Sequence, residues 1–180
     1  MRRQGTSHGQ LPLQAAVLFV CMGNICRSPT AEGVFRARVE RAGLRDRLLI
    51  ESAGIGDWHV GQPPDERAML HARRRGYDLS RLRARQVTRD DFSRFGWIFA
   101  MDLRNLRDLK ALQPAGYSGY LGLFLDLVPD LGVREVPDPY FGGTDGFEKV
   151  LELTERASDE LLARIMRQMP EAMRTDDTPS

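Results

Sequence analysis

The chain has 180 residues and a mass of 20.4 kDa, room for one ordinary domain and little for two. Hydrophobic residues make up 42% and charged residues 28%, which excludes a disordered tail protein, a collagen-like repeat and a disulfide-stapled miniprotein. With 26 Lys and Arg against 25 Asp and Glu the net charge is +1, so the overall balance draws the chain neither to nucleic acid nor to an anionic membrane. Its two cysteines, Cys21 and Cys26, are too few and too close for a secreted disulfide framework, and a reducing cytoplasm is expected. The longest apolar run, Ala15 to Met22, has eight residues against the roughly 20 that cross a bilayer. Arg2 and Arg3 precede it as in a secretory leader, but Pro12 and Gln14 interrupt the approach. Residues 1–14 are read instead as a polar, flexible extension.

Short β-rich runs then alternate with amphipathic helical stretches, the pattern of parallel βαβ units. Ala15 to Val20 is a continuous apolar run, as expected of a strand buried on both faces. Ser28-Pro29 reads as the N-cap and first position of a helix carried by Ala31, Val34, Phe35, Val39 and Ala42 and ended by Gly43. Leu48 to Ala53 is a second strand, followed by a loop to Pro64 and a helix from Asp65 to Arg75, closed at Gly76. Trp97 to Met101 is a third strand and Leu103 to Leu112 a helix stopped by Pro114. Tyr120 to Leu125 reads as a fourth strand, and Asp126 to Gly143, rich in Pro and Gly, as loop. Asp145 with Glu148 resembles a capping box opening the last helix, whose buried face runs from Phe147 through Val150, Leu151, Thr154, Leu161, Leu162 and Ile165 to Met169. The domain is expected to span 15–170, with 171–180 a flexible tail.

One stretch carries chemistry: Val17-Leu-Phe-Val-Cys21-Met-Gly-Asn-Ile-Cys26-Arg27-Ser28-Pro29. A buried strand runs through a turn containing Gly and Asn into a helix, so that loop N–H groups from Met22, Gly23, Asn24, Ile25, Cys26, Arg27 and Ser28 converge on one anion-sized point. Cys21 shares that positive field with Arg27, a setting that favours the thiolate. Arg27 offers a planar fork for two oxygens of a phosphoryl group, and Ser28 a hydroxyl for the thiolate. Asn24 suits a left-handed turn whose amide braces the loop, with Ser52 a further bracing group. Nucleophile, cradle and guanidinium in this register describe phosphoryl transfer through a cysteinyl-phosphate. Read from spacing alone, Asp138-Pro139 is equally a turn or a general acid. Cys26 is either buried filler or a thiol that traps an oxidised Cys21.

Cys21-Met-Gly-Asn-Ile-Cys-Arg27-Ser28-Pro29 resembles the signature of the low-molecular-weight protein tyrosine phosphatases. Ser52-Ala53-Gly54, Trp58-His59-Val60-Gly61, Pro64-Asp65, Ala84-Arg85-Gln86-Val87, Met101-Asp102 and Asp138-Pro139-Tyr140 follow in that family's order, extending the resemblance over residues 15 to 169. It implies a single α/β domain of flavodoxin-like fold: a four-stranded parallel sheet, helices on both faces, the phosphatase loop after the first strand. It also implies Asp138 as the general acid, Cys26 as redox partner of Cys21, and Ile25, Trp58 and Tyr140 as walls for an aromatic leaving group. For Trp58, loop anchoring is an equal reading. Where the family often has a His supporting Asn24, this chain has Leu82.

Two relatives of the same fold offer rival activities. Arsenate reductases pass a disulfide to further cysteines, and none follows Cys26. Protein arginine phosphatases carry Thr where Ile25 stands. A non-enzymatic reading rests on the stripe Arg73–Arg89, whose seven arginines face Asp78 alone and could bind RNA or another polyanion. Only Lys110 and Lys149 among the 26 basic residues are not Arg, so the stripe reflects composition as much as a site. His8, His59 and His71 lack metal-ligand spacing. The expectation is therefore a monomeric hydrolase of tyrosine-phosphorylated protein, without metal, cofactor, nucleic-acid or membrane partner.

Overall fold

The computed structural model describes residues 13–140, 142, 143 and 145–174. Strand β1, Ala16–Cys21, is buried at all six positions because it has parallel neighbours on both sides: β2 (Leu49–Gly54) and β3 (Trp97–Ala100). β4 (Tyr120–Leu123) extends the sheet beyond β3, giving the order β2-β1-β3-β4 with every pair parallel. The apolar run has no polar face because both of its faces are covered. Val17, Phe19 and Cys21 point into one layer with Phe35 and Val39 of helix α1 (Arg27–Arg41) and Val150, Leu153 and Leu161 of helix α5 (Asp145–Gln168). Ala16, Leu18 and Val20 point the other way, toward Phe92 of the one-turn helix α3 (Asp91–Arg94) and Leu106 and Leu109 of α4 (Leu103–Leu112). This alternation is the period-2 geometry of a strand. Phe19 lies at the centre, its ring 5.8 Å from that of Phe35 and 4.9 Å from that of Phe124.

In a parallel sheet all strands deliver their carboxyl ends to one edge, where ligands of such folds bind. Here β1 brings Cys21, β2 brings Gly54 and β3 leads to Asp102. Gly54 allows a close approach there: a Cβ would stand 3.0 Å from the backbone of Met22 and Gly23, so a side chain would press the loop outward by a few tenths of an ångström. Helix α2 (Glu66–Arg74) packs against α5 and starts one residue later than expected, with Asp65 as its cap, whose carboxylate accepts the Arg67 N–H.

Several boundaries differ from expectation. Helix α1 starts at Arg27 with Cys26 at its N-cap; Ser28 is inside the helix and does not cap it, because its hydroxyl is drawn to the thiol of Cys21. β4 stops at Leu123, and the expected loop from Asp126 contains turns of 3-10 helix at Phe124–Leu127 and Pro129–Leu131. Glu148 does not fold back as a capping box: its carboxylate binds His71 Nδ1 at 2.7 Å and Arg75, tying α5 to α2. Helix α3 is too short to leave a helical period in the sequence. Residues 1–12 and 175–180, most of the expected extension and tail, lie outside the described residues. Leu13–Ala15 and Glu171–Met173 each form a turn of 3-10 helix, the latter held by Arg47, which donates to the Met173 carbonyl at 3.1 Å. Among the described residues no helix is long and apolar enough to cross a membrane. Two arginines of the stripe are engaged within the fold: Arg75 pairs with Glu148 and Glu155, Arg85 with Asp91 and Glu51.

Candidate active site

Between Cys21 and Arg27 the chain closes a tight loop, and its sharpest bend falls at Asn24, whose φ is 57°, the left-handed conformation that Asn tolerates. The Asn24 backbone N–H points at Cys21 Sγ, 3.3 Å away. Its side chain, buried with the residue at 3% exposure, braces three segments. Oδ1 accepts from the Arg85 N–H at 3.0 Å, and Nδ2 donates to Ser28 Oγ at 2.8 Å and to Ser52 Oγ at 2.9 Å. Leu82, partly buried, packs on the cluster of Val34, Ala72 and Tyr77 instead, and the Arg85 N–H holds the acceptor end of the amide.

The directions of these bonds follow from one carboxylate. Glu32, on the second turn of α1 and 6% exposed, accepts from Ser52 Oγ at 2.7 Å and from Arg36 Nη2 at 2.9 Å. Ser52 thus spends its proton on Glu32 and receives from Asn24. Ser28 also receives from Asn24, leaving its own proton for Cys21 Sγ at 3.0 Å or the Ala53 carbonyl at 3.3 Å. When Cys21 is a thiolate it therefore meets a hydroxyl and an amide donor.

Arg27, 3% exposed, is fixed on one side. Its Nη1 donates to Asp102 Oδ2 at 2.6 Å and to the Val136 carbonyl at 3.1 Å, while Nη2 lies 3.6 Å from Asp138 Oδ2. Burial alone would push the guanidinium down; Cys21, Asp102 and Asp138 outweigh it and hold Arg27 above its ordinary value. Burial, reinforced by Asp65, Cys21 and Asp138, pushes the Cys26 thiol well above the usual range. Both cysteines are free thiols.

Above the loop lies a cavity of about 180 Å³. Cys21, Met22, Gly23, Ile25, Cys26 and Arg27 form its floor, and Trp58, His59, Asp138 and Tyr140 its walls. The sequence-predicted residues therefore meet at one place, with Asn24, Ser28 and Ser52 as braces under the floor. Trp58 is 67% exposed, and its ring lies against Gly56 of its own loop. Besides Glu32, Asp102 and His59 receive no role from sequence reasoning. Asp102 both caps α4, accepting from the Asn105 N–H at 2.7 Å, and grips Arg27; an Asp directly after a buried strand and before a helix was the available signal. His59 lies against Gly23, its Nδ1 2.9 Å from Gln62 Oε1, and nothing in its spacing marks it. Among the described residues no group of three or more His, Cys, Asp or Glu could hold a metal ion.

A cysteine-floored loop between a buried strand and a helix, at the carboxyl edge of a four-stranded parallel sheet, points to an enzyme class with a cysteine nucleophile. The family model for low molecular weight phosphotyrosine protein phosphatase matches residues 16–171. The chain is 46% identical over 156 residues to a low molecular weight protein-tyrosine-phosphatase of Streptomyces coelicolor, covering 85% of this chain and 94% of the relative. The crystal structure of Bacillus subtilis YfkJ superposes with a TM-score of 0.80 at 39% identity, covering 91% of this chain and all of that one. A Drosophila arginine phosphatase superposes with a TM-score of 0.77 at 30% identity, over 82% and 96% of the two chains. The chain belongs to the low molecular weight phosphotyrosine protein phosphatase family.

Proposed function

We propose that this chain is a monomeric, cytoplasmic phosphatase that hydrolyses phosphotyrosine on protein through a cysteinyl-phosphate. The observation that carries this reading is the convergence of Cys21, Arg27 and Asp138 on one cavity. The Cys21 thiolate attacks phosphorus in line with the phenolic oxygen, while Arg27 and the loop N–H groups hold the equatorial oxygens. Asp138 gives its proton to that oxygen as the P–O bond breaks. The Asp138 carboxylate then takes a proton from water, whose oxygen attacks phosphorus, and the S–P bond breaks. Donors from Ser28 and the Asn24 N–H receive the returning thiolate. The first step needs Asp138 protonated and Cys21 ionised, so turnover is expected to be better at mildly acidic pH than above neutrality.

Ile25, Trp58 and Tyr140 give the cavity apolar walls that suit a flat phenol. A guanidinium leaving group would lose hydrogen bonds against Ile25 without replacement, which favours phosphotyrosine over phosphoarginine. The deciding experiment is phosphate release from a phosphotyrosine peptide and from phosphoarginine in buffer containing a chelator. Undiminished release from the first and little from the second is expected; the reverse order, or loss on chelation, refutes the reading.

Cys26 is the second thiol of the floor. When peroxide oxidises Cys21 to the sulfenic acid, the Cys26 thiol attacks that sulfur, water leaves and a disulfide protects the nucleophile. The Cys26→Ser variant should therefore lose activity to peroxide irreversibly, where wild type recovers with added thiol. Equal recovery of both leaves Cys26 a packing residue.

A further inference from the structure

The general acid sits on a segment anchored at both ends, and only one anchor belongs to the machinery above. On the near side Val136 is fully buried; its N–H donates to the Met101 carbonyl at 2.8 Å and its carbonyl accepts from Arg27. Pro137 and Pro139, which flank Asp138, have no N–H to bind the scaffold. The next N–H, that of Tyr140, turns back to Asp138 Oδ1 at 3.0 Å, an Asx turn that shapes the segment without tying it down.

One tie on the far side comes from α2, beside the bond that the Pro139 carbonyl accepts from the Gly142 N–H at 3.1 Å. Arg67 Nη2 donates to the Tyr140 carbonyl at 3.2 Å, and its guanidinium lies 5.5 Å from the Tyr140 ring centroid and 4.9 Å from that of Phe147, in the first turn of α5. The Asp65 carboxylate takes the Arg67 Nε and Nη2 as a fork, at 3.1 and 3.0 Å. The Asp65 N–H in turn donates to the Ile25 carbonyl at 2.8 Å. An unbroken line thus runs from the phosphate loop through Asp65 and Arg67 to Tyr140 and Asp138. As an exposed ion pair Arg67–Asp65 would contribute little to stability, yet the arginine joins α2, α5 and the acid-bearing segment at one point.

From this geometry we infer that Arg67 is a positioning residue for the general acid, setting the distance between Asp138 and the Cys21 loop through the Tyr140 carbonyl. The inference rests on the proposed function and goes beyond it. Because Arg67 acts through Asp138, its removal harms the reaction in proportion to how much the leaving group needs a proton. A planar fork is required to serve Asp65 and the Tyr140 carbonyl at once, so lysine replaces it only in part.

The test is kcat/KM for phosphotyrosine, a poor leaving group, and for p-nitrophenyl phosphate, a good one, in Arg67→Met and Arg67→Lys. Arg67→Met is expected to lower the phosphotyrosine value roughly 10- to 100-fold, the scale of an ångström-sized misplacement, and the p-nitrophenyl value far less. Arg67→Lys should fall between Arg67→Met and wild type. Inhibition by inorganic phosphate should be unchanged, since the cradle is untouched. In an Asp138→Asn background Arg67→Met should add nothing. Equal losses on both substrates, or a full additional loss in the Asp138→Asn background, overturn the inference and return Arg67 to a structural role. Absence of turnover by wild type on either substrate would instead fail the proposed function, so the two failures are told apart.

Discussion

Replacing Cys21 by serine should reduce kcat/KM for a phosphotyrosine peptide by several orders of magnitude, on the scale of the ~10⁶ lost when a covalent enzyme is deprived of its nucleophile. The serine hydroxyl keeps its proton near neutrality and forms no thiophosphate. The cradle survives, because the loop is held by Asn24, Ser52 and Arg85 rather than by the thiol. Phosphate should bind Cys21→Ser at least as tightly as wild type, since an anionic thiolate no longer faces the dianion. A second variant separates attack from protonation. Asp138→Asn is expected to cost about 10²–10⁴ in kcat/KM, the range for a positioned acid, and to remove the fall in rate at higher pH. Steady-state kinetics across pH with both variants, together with phosphate inhibition, checks both statements. Residual turnover near wild type in Cys21→Ser would rule out the cysteinyl-phosphate.

The uneven legibility of this site follows from how its parts are distributed along the chain. Cys21, the cradle and Arg27 are consecutive, so a local reading of strand, turn and helix exposes them with their chemistry. The same local reading misplaced Ser28, because the N-cap rule weighs only the helix's own N–H groups, and here a thiol and Asn24 compete for the hydroxyl. Asp138 meets Arg27 only through the fold, and residue spacing left it balanced between acid and turn; the family resemblance named it. Leu82 shows the opposite case. Its departure from the family's His cast doubt on the bracing of Asn24, yet the backbone N–H of Arg85, which any residue but proline would supply, closes the amide's acceptor side. Glu32 and Arg67 are charged residues on helices, indistinguishable in sequence from a solvated face, and the strand-end position of Asp102 marks a helix cap but not its grip on Arg27. What singles them out is the partner, and each partner is fixed by sheet order and helix packing rather than by nearby sequence.

The largest stability effect is expected at Asp102, because among the described residues it alone combines a helix cap with the close counter-charge of a buried arginine. Asp102→Asn keeps the side-chain acceptor for the Asn105 N–H but removes the charge 2.6 Å from Arg27 Nη1. Breaking one partner of a buried pair costs about 3–5 kcal/mol when the other charge stays behind. Here Asp138 remains 3.6 Å from Nη2 and offsets part of that, so the lower end of the range is expected. Asp102→Ala loses the cap as well, a further ~1 kcal/mol. Both variants free the guanidinium to rotate about the Val136 carbonyl, so kcat/KM should fall by roughly 100-fold even where the protein is fully folded. Phosphate places a dianion beside the orphaned Arg27 and should raise the unfolding midpoint of Asp102→Asn more than that of wild type. Urea unfolding with and without phosphate, beside kinetics at a temperature where the variant is folded, measures each part. A wild-type midpoint and wild-type kcat/KM in Asp102→Asn would show that the Val136 carbonyl and Asp138 suffice to hold Arg27, and that the carboxylate at the end of β3 serves α4 alone.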